Sequence, residues 1–329
     1  MKAAVISSPG PADNFFLEER PIPIPSGEQV LVKVKAFGLN RSELMTRKGY
    51  SPSVTFPRVL GIECVGEVEF DPSSQLKKGQ KVAAFMGGMG RDFDGSYAEY
   101  TVLPKSLLYP FESDLPWKDL GAIPEMFQTV FGSLHLALKI RKTETLLIRG
   151  GTSSIGMLAV QLAKNAGLTV LATTRKAEKK ELLLANGADY VLIDDGELAE
   201  KVKAIYPSGV DKVLELVGTA TLKNSLACCA QGGVVCMTGM LSEQWSIDDF
   251  APMEYIPASV ALTIYDSGQI RVDHQSFQTF IHEVENGKIR LSISASFELE
   301  QIAEAHQFME SNAGSGKIVV LTGGDKTIN

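Results

Sequence analysis

The feature that most restricts the fold is a regular alternation between residues 145 and 265. Short apolar runs read as buried strands at 145–149, 169–174, 190–193, 211–217, 234–237 and 260–265. Between them lie amphipathic stretches that read as helices at 154–166, 177–186, 197–205 and 220–229. Strands fully covered by apolar neighbours, each followed by a helix, are the pattern of a parallel sheet with helices on both faces. The expected fold class is therefore α/β, with a Rossmann-type doubly wound sheet in this part of the chain.

The flanks differ. Residues 29–36, 61–70, 80–85 and 96–103 read as short strands separated by Pro, Gly and Ser clusters, which is the pattern of an open or barrel-like β-rich domain. Residues 119–138 read as helix apart from Pro124, and the glycine-rich segment 86–95 as a flexible rim. The tail offers two amphipathic helices, at 276–286 and 299–311, and a last strand at 317–321. A tail folding back onto the start gives one domain from 1–122 with 268–329, and a second at 123–267.

Composition excludes several function classes. A net charge of −7 disfavours a general nucleic-acid or anionic-membrane binder. Cys64, Cys228, Cys229 and Cys236 contain no C-x-x-C pair, so neither a disulfide framework nor a four-cysteine zinc lobe is expected. The beginning, MKAAVISSPG, has no apolar signal core, and no apolar run approaches the roughly 20 residues of a membrane span. A cytoplasmic protein is the expectation.

The strongest motif is IRGGTSSIGMLAVQLAK, following the strand 145–149 and opening a helix. Gly150 and Gly151 permit the tight turn, and Gly156 permits close helix–strand packing. Thr152 or Ser153 stands where the dinucleotide fingerprint has its middle glycine, so a hydroxyl replaces close backbone approach there. Ser154 is the expected helix cap, and the free N–H groups from Gly151 through Ile155 to Gly156 are the expected seat of a pyrophosphate. NAD proteins place a carboxylate about 20 residues on, at the end of the second strand. Here that strand ends Thr173-Thr174-Arg175-Lys176, with no carboxylate before Glu178 and with Lys179 and Lys180 beyond. Cations at a helix start oppose the helix dipole, which suits a bound anion, so the 2′-phosphate of NADP(H) is expected beside Thr174, Arg175 and Lys179. Val217, Gly218 and Gly239 follow later strands and should line the same carboxyl edge; Thr263 and Tyr265 should approach the nicotinamide from the sixth strand.

With AFGLNRSELMTRKGY (36–50), PRVLGIECVGEV (57–68) and SGKIVVL (315–321), nearly the whole chain resembles the medium-chain dehydrogenase/reductase superfamily. Within it the chain is most similar to the zinc-independent quinone oxidoreductases, the zeta-crystallin-like branch. The resemblance implies a GroES-like catalytic domain beside the Rossmann domain. Zinc-dependent members carry a cysteine after the Gly-Leu of the first segment and a His-Glu pair in the second. Here those positions are Asn40, Ile62 and Glu63, and Ile62 offers no ligand atom. His135, His274, His282 and His306 are scattered, so no metal is expected.

Without a Lewis acid, hydride transfer from NADPH to an electron-poor acceptor is the chemistry implied, the acceptor being a quinone or an α,β-unsaturated carbonyl compound. By position in the family segments, Asn40 would face the nicotinamide and hydrogen-bond a substrate oxygen. Tyr50 would donate a hydrogen bond or proton, Glu43 would orient neighbours, and Thr129 would lie near the nicotinamide carboxamide. The sixth strand, VALTIY, lacks edge-protecting charges, consistent with the family's pairing of that strand across a homodimer. Two other functions stand beside this one. One is a non-catalytic NADPH-binding structural or sensor protein. The other is an alkenal or enoyl-thioester reductase, whose acyl carrier would use Arg41, Arg47, Lys48 and Arg58.

Overall fold

The computed structural model describes residues 1–323. They form two compact units: Met1–Glu125 together with the chain from Asp273 on, and Met126–Val272. In chain order the strands begin with β1 (Lys2–Ile6), β2 (Phe15–Glu19), β3 (Gln29–Gly38), β4 (Arg58–Val59), β5 (Glu63–Phe70), β6 (Lys81–Phe85), β7 (Tyr100–Pro104) and β8 (Leu108–Pro110). There follow β9 (Thr145–Arg149), β10 (Thr169–Thr174), β11 (Tyr190–Ile193), β12 (Val210–Glu215), β13 (Cys229–Met237) and β14 (Ala261–Ile264). The chain closes with β15 (Ile293–Glu298) and β16 (Lys317–Leu321).

In the second unit all six strands are parallel, in the order β11-β10-β9-β12-β13-β14. Counted from β9, that is 3-2-1-4-5-6, the dinucleotide-binding order. Leu147, Leu171, Val213 and Val235, fully buried, form the middle of its core. Parallel pairing puts the carboxyl ends of all six strands on one edge, so Gly150, Arg175, Val217, Gly239 and Tyr265 all follow strands onto that edge.

The first unit holds a sheet in the order β15-β16-β3-β5-β6-β8, with β7 also pairing β3, and a smaller sheet β2-β1-β4. The tail is built into it: β16 pairs antiparallel with β3, Val320 opposite Phe37. Val32, Val34, Cys64, Val82 and Val320 belong to one core beneath these strands.

Several local expectations change. The apolar AAVI of β1 is a fully buried strand, and the helix Arg41–Arg47 and strand β15 also lie where no element was expected. The stretch 119–138 is three pieces: Trp117–Leu120, a helix opening at Pro124, and a π-helical turn Gly132–Ala137. Proline at a first helical position is favourable because its missing N–H would be unpaired there. The ring of Tyr265 occupies the space a side chain at Gly132 would need. Segment 86–95 is no loose rim. Met89 is buried, and Gly90 and Gly95 lie against the backbone of Gly61 so closely that a Cβ on either would overlap it.

The units divide at 125/126 and 272/273, a few residues beyond the sequence boundaries. Glu125 is tied to the first unit by its N–H, which donates to Glu63 Oε2 at 2.8 Å. Residues 267–272 are tied to the second by the buried Gln128. Its Nε2 donates to Ser267 O and Ile270 O, and its Oε1 accepts from Val272 N.

Candidate active site

In the second unit the glycine turn carries the geometry. Gly150 has φ +88°, and its N–H donates to Thr173 Oγ1 at 3.1 Å. Gly151 N–H donates to Thr173 O at 3.1 Å, stitching the turn to β10. A Cβ on Gly156 would lie 2.5 Å from Gly150 O, so helix and turn meet at a distance only glycine allows. The helix Ser154–Asn165 is capped by Ser153, not Ser154: Ser153 Oγ accepts from Gly156 N at 3.0 Å and donates to Gly150 O at 2.8 Å. The capping residue needs extended backbone, and Ser153 has it (φ −72°, ψ 163°), whereas Ser154 is already helical. Gly151 and Gly156 are buried, while Thr152, Ser153, Ser154 and Ile155 are half-buried around the helix N-terminus.

Thr174 ends β10 buried, its Oγ1 accepting from Lys176 N at 3.1 Å. Arg175 and Lys176 are exposed, and neither side chain has an ion-pair partner among the described residues; Lys179 is half-buried one turn on. Arg149 is 1% exposed and donates through Nε and Nη2 to the two carboxylate oxygens of Asp194, each at 2.7 Å. Glu215 accepts from Val217 N at 2.6 Å and Gly218 N at 3.0 Å, shaping the loop that carries Val217. Its burial raises the carboxyl pKa. A Cβ at Gly239 would collide with the backbone of Leu216. Ser133 Oγ bridges Thr129 O (2.7 Å) and Thr238 Oγ1 (2.9 Å), linking Thr129 to the chain beside Gly239. Thr263 is half-buried opposite Cys236, and the Tyr265 hydroxyl donates to Ile270 O at 2.9 Å. The turn, the strand ends and the helix N-terminus lie together at the carboxyl edge of the sheet, the edge at which doubly wound sheets bind ligands.

In the first unit a second constellation gathers around Asn40, the residue before helix Arg41–Arg47. Asn40 Nδ2 donates to Glu63 Oε1 at 2.9 Å and leans to Glu43 Oε1 at 3.4 Å. Asn40 Oδ1 accepts from Lys317 Nζ at 2.6 Å, and the same ammonium is 2.6 Å from Glu63 Oε1. Both amide hydrogens of Asn40 are thus turned to carboxylates, so the valence it keeps is a lone pair on Oδ1. The sequence expectation of a donor to a substrate oxygen is corrected on that point. Glu43 is buried; its Oε1 also accepts from Ile62 N at 3.2 Å, and its Oε2 has no partner. Burial, with Glu63 adding to it, pushes the Glu43 carboxyl up to about 7. Tyr50, after Gly49 at φ +90°, is 60% exposed and is not drawn into this network.

Glu63 and Lys317 were not chosen from the sequence as site residues. The available signal was a lysine opening the otherwise apolar run KIVVL, in a segment already recognised as characteristic. The basic residues considered for an acyl carrier are largely neutralised. Arg47 is 1% exposed and pairs with Glu310 at 2.5 Å, Lys48 shares that carboxylate, Arg58 pairs with Asp94, and Arg41 donates to Asn312 Oδ1.

Residues 26–113 match the Alcohol dehydrogenase GroES-like domain family, and residues 154–286 match the Zinc-binding dehydrogenase family. The chain belongs to the medium-chain dehydrogenase/reductase superfamily. Its relatives include a quinone oxidoreductase of Rattus norvegicus, 28% identical over 307 residues that cover 91% of each chain. An acryloyl-coenzyme A reductase of Sulfurisphaera tokodaii is 26% identical, over 97% of this chain and 99% of the relative. Among solved structures, a 2-haloacrylate reductase superposes with a TM-score of 0.85 at 25% identity, covering 98% of this chain and 99% of that one. The superfamily's doubly wound domain and GroES-like domain are those of the two units described above.

Proposed function

We propose that the chain is an NADPH-dependent, zinc-independent oxidoreductase that transfers hydride to quinones or α,β-unsaturated carbonyl compounds. The observation that carries this reading is the 3-2-1-4-5-6 parallel sheet with its glycine turn at the carboxyl edge. The named activities of the relatives, on a quinone, an acryloyl thioester and a haloacrylate, support an electron-poor double bond as the common acceptor.

Bound NADPH would supply the hydride. The N–H groups of Ser154 and Ile155 at the helix start would hold its pyrophosphate, those of Gly151 and Gly156 being bonded within the turn, and Arg175, Lys176 and Lys179 its 2′-phosphate, with Val217 and Gly239 along its edge. Thr129, Thr263 and Tyr265 are the groups assigned to the nicotinamide side. Asn40 and Tyr50 are assigned to the acceptor, Tyr50 holding a transferable proton on its phenol, and Glu43 to orienting its neighbours. Zinc-independence rests on Ile62, which has no ligand atom. The four cysteines are free and buried, which suits a reducing cytoplasm, and no helix among the described residues is long and apolar enough to cross a membrane. A homodimer paired through β14 completes the reading.

The test is NADPH oxidation by the purified protein with an ortho-quinone and with an activated alkene, NADH run in parallel. Turnover preferring NADPH supports both the reaction and the phosphate site. Turnover preferring NADH keeps the reaction and removes the Arg175 site. Tight NADPH binding with no turnover on either acceptor favours the non-catalytic function.

A further inference from the structure

A lysine only 2% exposed, wedged between a carboxylate and an amide, needs a reason. Burying an ammonium is costly unless it is paired and hydrogen-bonded, and an apolar residue would fill the same place in β16 at no such cost. The surroundings are shaped to admit it: any side chain at Gly38 would overlap Cε of Lys317. Glu63, its counter-ion, is itself pinned, with Oε1 facing Lys317 and Asn40 and Oε2 taking the Glu125 N–H at 2.8 Å.

We propose that Lys317 is a positioning residue that sets and holds the orientation of the Asn40 side-chain amide. The inference rests on the reductase function, in which Asn40 meets the acceptor or the nicotinamide. An asparagine amide has two orientations of almost the same shape and opposite polarity. Here charge decides between them. Turning the amide over would put its NH2 group 2.6 Å from the Lys317 ammonium and its oxygen 2.9 Å from the Glu63 carboxylate. Both contacts would become repulsive. With Lys317 in place the amide has one orientation, and Oδ1 is the atom it offers. Without the ammonium, Oδ1 loses its only donor among the described residues and the amide is free to rotate about its last torsion. Lys317 thus acts 277 positions away in sequence from the residue it serves.

The experiment is a double-mutant cycle on NADPH oxidation with an ortho-quinone, comparing Lys317→Met, Asn40→Ala and the pair with the unchanged protein. Lys317→Met is expected to lower kcat by about 10- to 100-fold, the scale of a misplaced contact, with KM for NADPH changed less than about 2-fold. In the Asn40→Ala background the same substitution should cost less than about 2-fold, because its target is gone. Lys317→Arg should recover part of kcat. Equal losses in both backgrounds, or an unchanged kcat, overturn the proposal. Because Lys317→Met leaves Glu63 uncompensated, the cycle is repeated with Glu63→Gln added, where wild-type kcat again overturns it. A second readout needs no turnover: the side-chain 15N amide signals of Asn40, identified by their loss in Asn40→Ala. They should be one sharp pair that shifts or broadens in Lys317→Met, and an unchanged pair refutes the inference. An inactive wild-type protein would count against the reductase function, while the amide signals would still decide the role of Lys317.

Discussion

Two buried titratable side chains give the first unit opposite responses to pH. Glu43 has its carboxyl pushed from 4.5 up to about 7, by burial first and by Glu63 second. The native state therefore holds a proton that the unfolded chain releases. Stability from this group is complete below pH 4.5 and falls as pH rises to 7, by up to about 3 kcal/mol. Glu43→Gln should remove that slope, so its melting temperature relative to the unchanged protein should be higher at pH 8 than at pH 5. A difference independent of pH would refute the assignment. His306 behaves in reverse. Its ring is fully buried against Phe15, with Nε2 3.0 Å from the Tyr97 hydroxyl, and burial, aided by Arg47, pushes its pKa down to about 3. The native imidazole stays neutral, so its contribution is complete above pH 6.5 and is lost as pH falls towards 3, by up to about 5 kcal/mol. His306→Gln should flatten the acid limb of an unfolding curve between those limits. An acid limb as steep as before would exclude His306 as its source. Asn40 and Glu43 were legible as neighbours in one segment. Their partners Glu63 and Lys317 meet them only through the pairing of β16 with β3 and of β3 with β5.

At the scale of elements, legibility followed burial pattern and punctuation. The strands Thr145–Arg149, Thr169–Thr174 and Tyr190–Ile193 have the ends read from sequence, since each apolar run stops at glycine, charge or a helix cap. Strand β1 was missed because four consecutive apolar residues without alternation resemble any buried segment. The helix cap shifted from Ser154 to Ser153 because adjacent serines carry the same signal and only backbone geometry separates them. Gly156, by contrast, was read correctly as the close-approach glycine, and its environment sets a prediction. A methyl there would lie 2.5 Å from Gly150 O and 2.7 Å from Gly151 Cα, both backbone atoms that cannot swing aside. Gly156→Ala should cost about 1–3 kcal/mol by overpacking. It should weaken NADPH binding by more than that loss of folded population explains, because the turn itself must move. Fluorescence titration with NADPH beside a urea melt measures both. Binding unchanged in a protein that still folds would show that the turn does not hold the dinucleotide.

At the largest scale, one exposed strand edge bears on the proposed homodimer. The edge strand β14 pairs only with β13 among the described residues, and its last residue, Ile264, is 56% exposed. The same unit also exposes Met253, Trp245 and Phe250. A short apolar edge with no charge, proline or bulge to block it is a template for another strand. Two copies joined by antiparallel β14 strands would satisfy both free edges at once, and two-fold symmetry closes the contact so that it does not propagate. Ile264→Lys would place a charge on that strand, the device natural sheets use against pairing. The unchanged protein should then have the light-scattering mass of two chains at micromolar concentration, and Ile264→Lys that of one. A wild-type protein that runs as a single chain, or a variant that stays paired, would place the interface elsewhere. In that case the exposed side chains at 245–253 would become the surface to substitute next.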